Sequence, residues 1–393
     1  MTAWAWRDGF AIAGIGETEY TKASQPARAE FTLACEAVLT AVADAGLTVA
    51  DVGGFCVSSY ERSNPMAVAQ AIGSEGLVYA GAYPGGGNSA TGMVHHAIAA
   101  IASGEAEVVV CYRSLCQNQF GRYGRALGIP PAQEQMTDWQ NFGWPFGLFN
   151  AAHMYALSAR RHMALYGTTS ENFGRIAVAI YDNAQRNPRA VMYGRPITLA
   201  DHQASRMISD PYRLYDCCQE SNGACAVVVT RADRARSGPH PVVTVAGTAH
   251  RMEKLHGVVT RPPHLWDSSG LATTAEEIYR RAGVGPEDID VAQLYEAFTG
   301  NVLMDLEDFG FCGPGDSGAF VDSGAINWPD GSLPINTSGG NLSEAYLHGL
   351  GLVLEGVRQG RGTSTSQVDR ARHILVVSAS GPYSGGMVLR RHD

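Results

Sequence analysis

Eight cysteines are the most reactive side chains this chain carries, and their spacing assigns them no metal. Cys217 and Cys218 are adjacent, but no CxxC occurs and no paired CxxC and HxxxH, so no zinc site is recognisable. The spacing is not a disulfide framework either, which a chain of 393 residues does not need. Reduced thiols in a cytoplasmic protein fit best. A second nucleophile is Ser89, which opens the small-residue stretch "SATGMVHHAIAAIASG" (Ser89–Gly104). The bases nearest to it in sequence are His95 and His96. On a helix these point away from the first turn and read as packed or interface histidines, and Ser89 reads as a helix cap. Glycine is the third resource. The 46 glycines cluster, as in "GGN" at 86–88, "GGN" at 339–341 and "SASGPYSGGM" at 378–387. Such runs bring backbone N–H groups close to a ligand. Two basic runs, "FGRYGR" (Phe120–Arg125) and "RNPR" (Arg186–Arg189), could hold a phosphorylated small molecule or be solvated loops.

These residues must be positioned by a substantial scaffold. The hydrophobic fraction is 45% and the charged fraction 17%, enough apolar material for a large core and too little charge for a disordered chain. A net charge of −9 leaves no basic footprint for nucleic acid. No stretch approaches the length of a membrane span. The apolar run Phe10–Ile15 is too short for a signal peptide. Short apolar strands alternate with helices: "FAIAGIGE" (Phe10–Glu17), the helix Glu30–Gly46, "DVGGFCVSS" (Asp51–Ser59), the helix Ser89–Gly104 and "AEVVVCYRS" (Ala106–Ser114). This pattern predicts a parallel sheet covered on both faces.

The order then recurs. "HPVVTVAGTA" (His240–Ala249) starts a second series, and "TTAEEIYRRAG" (Thr273–Gly283) is a helix ending in Ala-Gly, as Ala45-Gly46 does. Asp51-Val52 and Asp288-Ile289 stand at the same distance beyond these glycines. Each "GGN" opens a helix, the second running on through "LSEAYLHGLGLVLEGVRQG", and each helix is followed by a strand, the second being "RHILVVSAS" (Arg372–Ser380). The chain therefore reads as an α/β protein of two similar halves, 1–238 and 239–393. The first half carries an insertion at about 117–210 with the helical core "HMYALSARRHMALYG".

Two α/β halves with glycine-opened buried helices resemble the thiolase superfamily over essentially the whole chain. The resemblance implies the thiolase fold: two βαβαβαββ halves in a five-layer αβαβα arrangement, with the insertion shaping the coenzyme A site. It also picks out four loops. Where the family has Cys-x-Ser-Gly, this chain has Ser89-Ala90-Thr91-Gly92. Where the family has Asn-Glu-Ala-Phe, it has Tyr295-Glu296-Ala297-Phe298. The histidine that follows the family's Gly-Gly pair is replaced by Tyr346, six residues after Gly340. Helical spacing would turn His348 about 200° away from Tyr346. The fourth loop, Ser378–Met387, has no cysteine, though Ser380, Gly381 and Gly385-Gly386 can still offer N–H groups.

This pattern is similar to the lipid-transfer-protein branch of the superfamily, whose aldolase members cleave steroid side chains. The resemblance implies a carbon–carbon lyase that splits a β-hydroxyacyl-CoA into a ketone and a shorter acyl-CoA, for a steroid propionyl-CoA. Tyr295 and Tyr346 would be its acid/base pair. His256, His348, Ser380, Gly381, Gly340 and Ser89 are further candidates for catalysis or substrate binding. No cofactor or metal is expected on this chain, coenzyme A being part of the substrate. The resemblance also implies a homodimer and a complex with a small zinc-ribbon/OB-fold companion, which would hold the zinc. Two other readings stay open: an acyltransferase (thiolase) using Ser89, and a non-catalytic lipid or acyl-CoA carrier.

Overall fold

The structure, a computed structural model, describes residues 4–25, 28–120, 143–251, 268, 270–380 and 384–392. His256, Gly381 and most of "FGRYGR" lie outside the described residues.

The first half builds β1 (Phe10–Glu17), α1 (Glu30–Asp44), β2 (Gly54–Ser58), β3 (Tyr79–Tyr83), α2 (Ser89–Ala102) and β4 (Val108–Cys116). The insertion follows, with helices α3 (Ala151–Tyr166) and α4 (Ser170–Ala184), and β5 (Ser221–Arg231) closes the half. The second half builds β6 (Val243–Arg251), α5 (Ala272–Ala282), β7 (Val291–Gln293), α6 (Thr299–Asp308), α7 (Leu350–Arg361), β8 (His373–Val377) and β9 (Ser384–Arg391).

These strands lie side by side in the order β7-β8-β9-β6-β1-β5-β4-β2-β3. Read outward from the centre, both halves follow one rule: first strand, last, fourth, second. The third position is β3 in one half and a bridge from Ile335 to Ala292 in the other. The two first strands meet antiparallel at Ala11 and Thr244. The sheet is mixed, which corrects the parallel sheet predicted from the alternation. β2 is parallel to β3 and β4, but β5 runs antiparallel to β4, and β9 to β8. Helical crossovers enforce parallel neighbours only where they intervene. β9 instead follows β8 through a short loop, and β5 follows β4 through the insertion.

α1 packs on β1, β5 and β4, and α5 packs on β6 and β9, giving the two outer layers. α2 and α7 fill the middle. Each lies on its own half's strands, reaches the other half, and touches its counterpart. The central helices are accordingly buried almost all round. The charges of α7 are paired: Arg358 bonds Glu17 of β1 and lies 3.5 Å from Glu355, so a buried ion network joins the halves.

The sequence repeat has a local cause. α1 is followed by Gly46 at φ 70° and α5 by Gly283 at φ 71°, both left-handed. The next turn in each half is closed by its aspartate. Thr48 N–H donates to Asp51 Oδ2 and Gly285 N–H to Asp288 Oδ2, each at 2.9 Å. Glycines in the first strands let these helices approach closely. A Cβ at Gly14 or Gly16 of β1 would overlap the backbone of α1 at Ala41 or Ala37. One at Gly247 of β6 would lie 2.5 Å from Ala282 N and 2.7 Å from Ile278 O. Gly247→Val is therefore expected to cost about 3 kcal/mol, read as a lower urea midpoint at unchanged m-value.

Candidate active site

Four loops converge where the first turns of α2 and α7 meet. The first is the glycine run before α2. Ser89 is fully buried, and its hydroxyl donates to the Gly86 carbonyl, three residues back. It therefore closes the turn from inside the helix and does not act as the expected cap. The first-turn N–H of Thr91 is satisfied across the chain by Ser378 Oγ at 3.0 Å, and Thr91 Oγ1 lies 2.6 Å from the same oxygen. His250 Nε2 completes this cluster, 2.8 Å from Thr91 Oγ1. His95 and His96 are packed, as their spacing suggested. Their rings meet His250 at 5.2 Å and Tyr83 at 4.8 Å, and burial pushes the His95 imidazole down to about 4. Ser89→Ala is expected to keep activity within about threefold and to cost roughly 1 kcal/mol for the lost turn bond, measured by kcat and thermal unfolding. A nucleophilic Ser89 would lose all activity.

The second loop, Leu294–Phe298, follows β7. Its backbone is clamped at two points by the buried Asn336 side chain. Leu294 N–H donates to Asn336 Oδ1, and Asn336 Nδ2 donates to the Leu294 carbonyl, both at 2.8 Å. The Phe298 ring stacks on Tyr212 with centroids 5.0 Å apart and meets Tyr155 of α3 at 5.5 Å. Glu296 turns under the third loop, where it accepts from Asn341 N–H at 2.6 Å and Asn341 Nδ2 at 2.9 Å. Burial pushes its carboxyl up to about 7. A Cβ at Gly340 would overlap the Glu296 carboxylate, so glycine is required there, and its φ of 50° is left-handed as well.

The third loop departs from the single helix read in the sequence. Residues Gly340–Glu344 make one wide turn, in which Glu344 N–H reaches Gly339 O and Ala345 N–H reaches Gly340 O. Ala345 then extends the chain at φ −166°, ψ 145°, His348 and Gly349 adopt φ of 53° and 79°, and only then does α7 begin. With the helix broken in this way, His348 stands beside Tyr346 with rings perpendicular and 5.2 Å apart, where helical spacing would have turned it away. Tyr346 is held by the end of β5: its N–H donates to Ser221 Oγ at 2.9 Å, and the Ser221 hydroxyl donates to the Tyr346 carbonyl at 3.2 Å.

The two phenols meet. Tyr295 Oη donates to Tyr346 Oη at 3.0 Å. Tyr295 is 2% exposed, and Tyr346 half-buried. Burial, and then the neighbouring Tyr346, raise the Tyr295 phenol well above its ordinary range. The Tyr295 ring occupies the gap between the two central helices. A Cβ at Gly87 would overlap its hydroxyl, and one at Gly349 would lie 2.7 Å from its Cδ2. Both helix N-termini, the positive ends of their dipoles, thus flank one phenol.

The fourth loop joins this cluster through Ala379 N–H, which donates to Gly87 O at 3.3 Å. Tyr155 Oη donates to the Ser380 carbonyl at 3.0 Å, and Asn301 Nδ2 lies 3.4 Å from Ser380 Oγ. The structure therefore gathers Tyr295, Tyr346, His348, Gly340 and Ser380, and leaves Ser89 in a structural turn. It adds Glu296, Tyr155, Asn301, Asn336 and Ser221, which sequence reasoning gave no role. Their contacts span tens to hundreds of positions and left no local pattern. The "RNPR" run is committed elsewhere: Arg186 lies over the Trp328 ring at 4.5 Å, and Arg189 pairs with Glu17 at 3.1 Å. Among the described residues no cluster of His, Cys, Asp and Glu could hold a metal ion.

A five-layer fold with these four loops, bearing tyrosines where two catalytic groups are expected and no cysteine at either nucleophile position, defines a thiolase-fold enzyme that does not use thiolase chemistry. Residues 252–389 match the thiolase C-terminal domain-like family. A steroid side-chain-cleaving aldolase of Thermomonospora curvata is 43% identical over 390 residues, 96% of this chain and 97% of that one. The 17-hydroxy-3-oxo-4-pregnene-20-carboxyl-CoA lyase of Mycobacterium tuberculosis is 41% identical over 382 residues, 96% and 98% of the two chains. The solved Ltp2-ChsH2(DUF35) aldolase superposes with a TM-score of 0.91 at 39% identity, over 98% of this chain and 99% of that one. Human mitochondrial 3-ketoacyl-CoA thiolase, 14% identical with a TM-score of 0.70 over 98% and 99%, shares the fold. The chain belongs to the thiolase-fold steroid side-chain-cleaving aldolases, and it is a carbon–carbon lyase.

Proposed function

We propose that this lyase cleaves the side-chain thioester of a 17-hydroxy steroid, releasing a 17-keto steroid and propionyl-CoA, with Tyr346 and Tyr295 as base and acid. The observation that carries the proposal is the 3.0 Å contact between the two phenols at the meeting of two helix N-termini. The substrate follows from the relatives, which share more than 40% of their residues with this chain over nearly its whole length.

The reaction asks little of the protein. Tyr346, the more exposed of the two and the acceptor of the pair's hydrogen bond, acts as its phenolate and takes the proton of the β-hydroxyl. A phenol with an ordinary pKa of about 10 is a weak base at neutral pH. The Tyr295 hydrogen bond, which favours the ionised oxygen, offsets part of that deficit. The Cα–Cβ bond then breaks, Cβ becomes the ketone, and the electron pair passes through Cα into the thioester as an enolate. Tyr295, which burial keeps protonated, gives its proton to Cα. Tyr346 returns the proton it took to Tyr295 along their hydrogen bond, so the site is restored without a covalent intermediate.

The insertion, whose Tyr155 touches the fourth loop, would border the coenzyme A arm, and His256 and Gly381 remain candidates for contacting it. The chain would work in the cytoplasm as a homodimer, in complex with a small zinc-ribbon/OB-fold companion. The solved complex of a relative supports such a companion. This chain would need no cofactor of its own. Among the described residues no helix is long and apolar enough to cross a membrane. The test is incubation with 17-hydroxy-3-oxo-4-pregnene-20-carboxyl-CoA, with and without the companion, followed by mass spectrometry. Equimolar 17-ketone and propionyl-CoA are expected. An acylated protein or acyl transfer to free CoA would refute the lyase mechanism.

A further inference from the structure

Behind His348 stands a buried chain of charge. Arg113, on β4, is 1% exposed and Glu61 0% by side chain, and they pair at 2.8 Å through Arg113 Nη1. Glu61 is fixed as the acceptor. Its Oε1 receives Ser63 N–H at 2.9 Å and the Ser114 hydroxyl, and its Oε2 receives Ser114 N–H at 2.7 Å. The guanidinium is thereby oriented so that Nε donates to His348 Nδ1 at 3.0 Å. A guanidinium nitrogen in a protein is always a donor, so this bond needs a lone pair on Nδ1. An imidazolium has none. The one form of His348 that satisfies the bond is neutral, with its hydrogen on Nε2. Nε2 faces the catalytic loops, since a Cβ at Gly86 would lie 3.2 Å from it and from Cε1. The residue is also held in a left-handed conformation, at φ 53°, that a non-glycine residue adopts only under constraint.

We propose that His348 is the uncharged hydrogen-bond donor that receives the thioester oxygen as the enolate forms, and that Arg113, anchored by Glu61, is the positioning residue that fixes its tautomer. This rests on the lyase reading above, because it needs an enolate oxygen beside the tyrosine pair. A neutral donor suits the step. It stabilises the developing charge without placing a permanent cation beside two phenols whose proton must travel. The surroundings agree. Arg113 on β4 and Arg62 in the segment after β2 are cations, Tyr60 of that segment packs against the ring at 6.4 Å, and Glu61 faces it only through Arg113. Tyr346 lies beside it and Tyr295 beyond. Burial first, then Arg113 and Arg62, hold the imidazole well below its ordinary range.

Two measurements test this. In protein carrying 15N-labelled histidine, the His348 resonances are those missing from the His348→Asn spectrum. A single neutral tautomer with hydrogen on Nε2 is expected between about pH 5 and 8. A hydrogen on Nδ1, or protonation within that range, overturns the inference without any Arg113 variant having to fold. In the assembled enzyme, His348→Leu is expected to lose about 100-fold in kcat with little change in KM, and His348→Gln, which keeps a donor, to recover about tenfold of that. Arg113→Lys keeps a cation for Glu61 but loses the Nε donor, and should let the tautomer with hydrogen on Nδ1 appear in the 15N spectrum, where the wild type shows one form. Full kcat in His348→Leu sinks the inference while leaving the tyrosine mechanism standing. Full activity in Tyr295→Phe and Tyr346→Phe sinks that mechanism instead, whatever the tautomer.

Discussion

Tyr346→Phe is expected to lower kcat for thioester cleavage about 1000-fold and to leave KM within a small factor of wild type, and Tyr295→Phe to do nearly the same. General acid–base groups contribute roughly 10²–10⁴ to a rate, and these hydroxyls would act on the proton in flight more than on the bound ground state. Each variant removes one oxygen. The Tyr295 ring stays wedged between Gly87 and Gly349, and the Tyr346 backbone stays clamped to Ser221. Unfolding temperature should therefore change little, and acyl-CoA binding measured by titration calorimetry should persist. The double variant should be hardly slower than the worse single one, because residues acting as a unit are not additive. If instead both single variants kept wild-type kcat, the pair would be packing and the proton would travel by another route.

Gly87→Ala should lose about 100-fold in kcat through a methyl group that touches no substrate. Gly87 does not adopt a left-handed φ, so its backbone accepts alanine, but the new Cβ would overlap the Tyr295 hydroxyl and displace it. A displacement of about 1 Å from productive geometry can cost 10²-fold. Gly349→Ala is the harsher variant, since there the crowding of the ring adds to a φ of 79°. Circular dichroism and a thermal melt should show Gly87→Ala folded, which separates displacement of the phenol from loss of structure. Wild-type kcat in a folded Gly87→Ala protein would mean that the phenol's position is not critical.

Much of this was legible beforehand because it rests on local rules. The duplicated order of strands and helices survives as a shared strand order about the β1–β6 seam. The matching aspartates, Asp51 and Asp288, proved to close equivalent turns. Tyr295 and Tyr346 were found through loops whose glycines and glutamate keep a recognisable frame. What stayed hidden depended on distance or on a break. Asn336, Ser221 and Arg113 act on partners 42, 125 and 235 residues away, and no periodicity encodes such pairs. His348 was turned the wrong way because a run of helix formers reads as one helix from Gly339 onward. Two left-handed residues, His348 and Gly349, and an extended Ala345 divide it. The mixed direction of the sheet was missed for a related reason, since apolar strands look alike whichever way their neighbours run.

The fit of Tyr295 against Gly87 has an evolutionary consequence. The two residues come from different halves of a duplicated chain, and each restricts the other. While a phenol occupies position 295, any side chain at 87 displaces it from its place between the helices; with a small residue at 295, alanine or serine at 87 becomes harmless. Epistasis of this kind makes reversion costly in a fixed order. A lineage that exchanges the tyrosine for asparagine must change 295 before it fills position 87, and one that has filled position 87 can no longer gain a well-placed tyrosine.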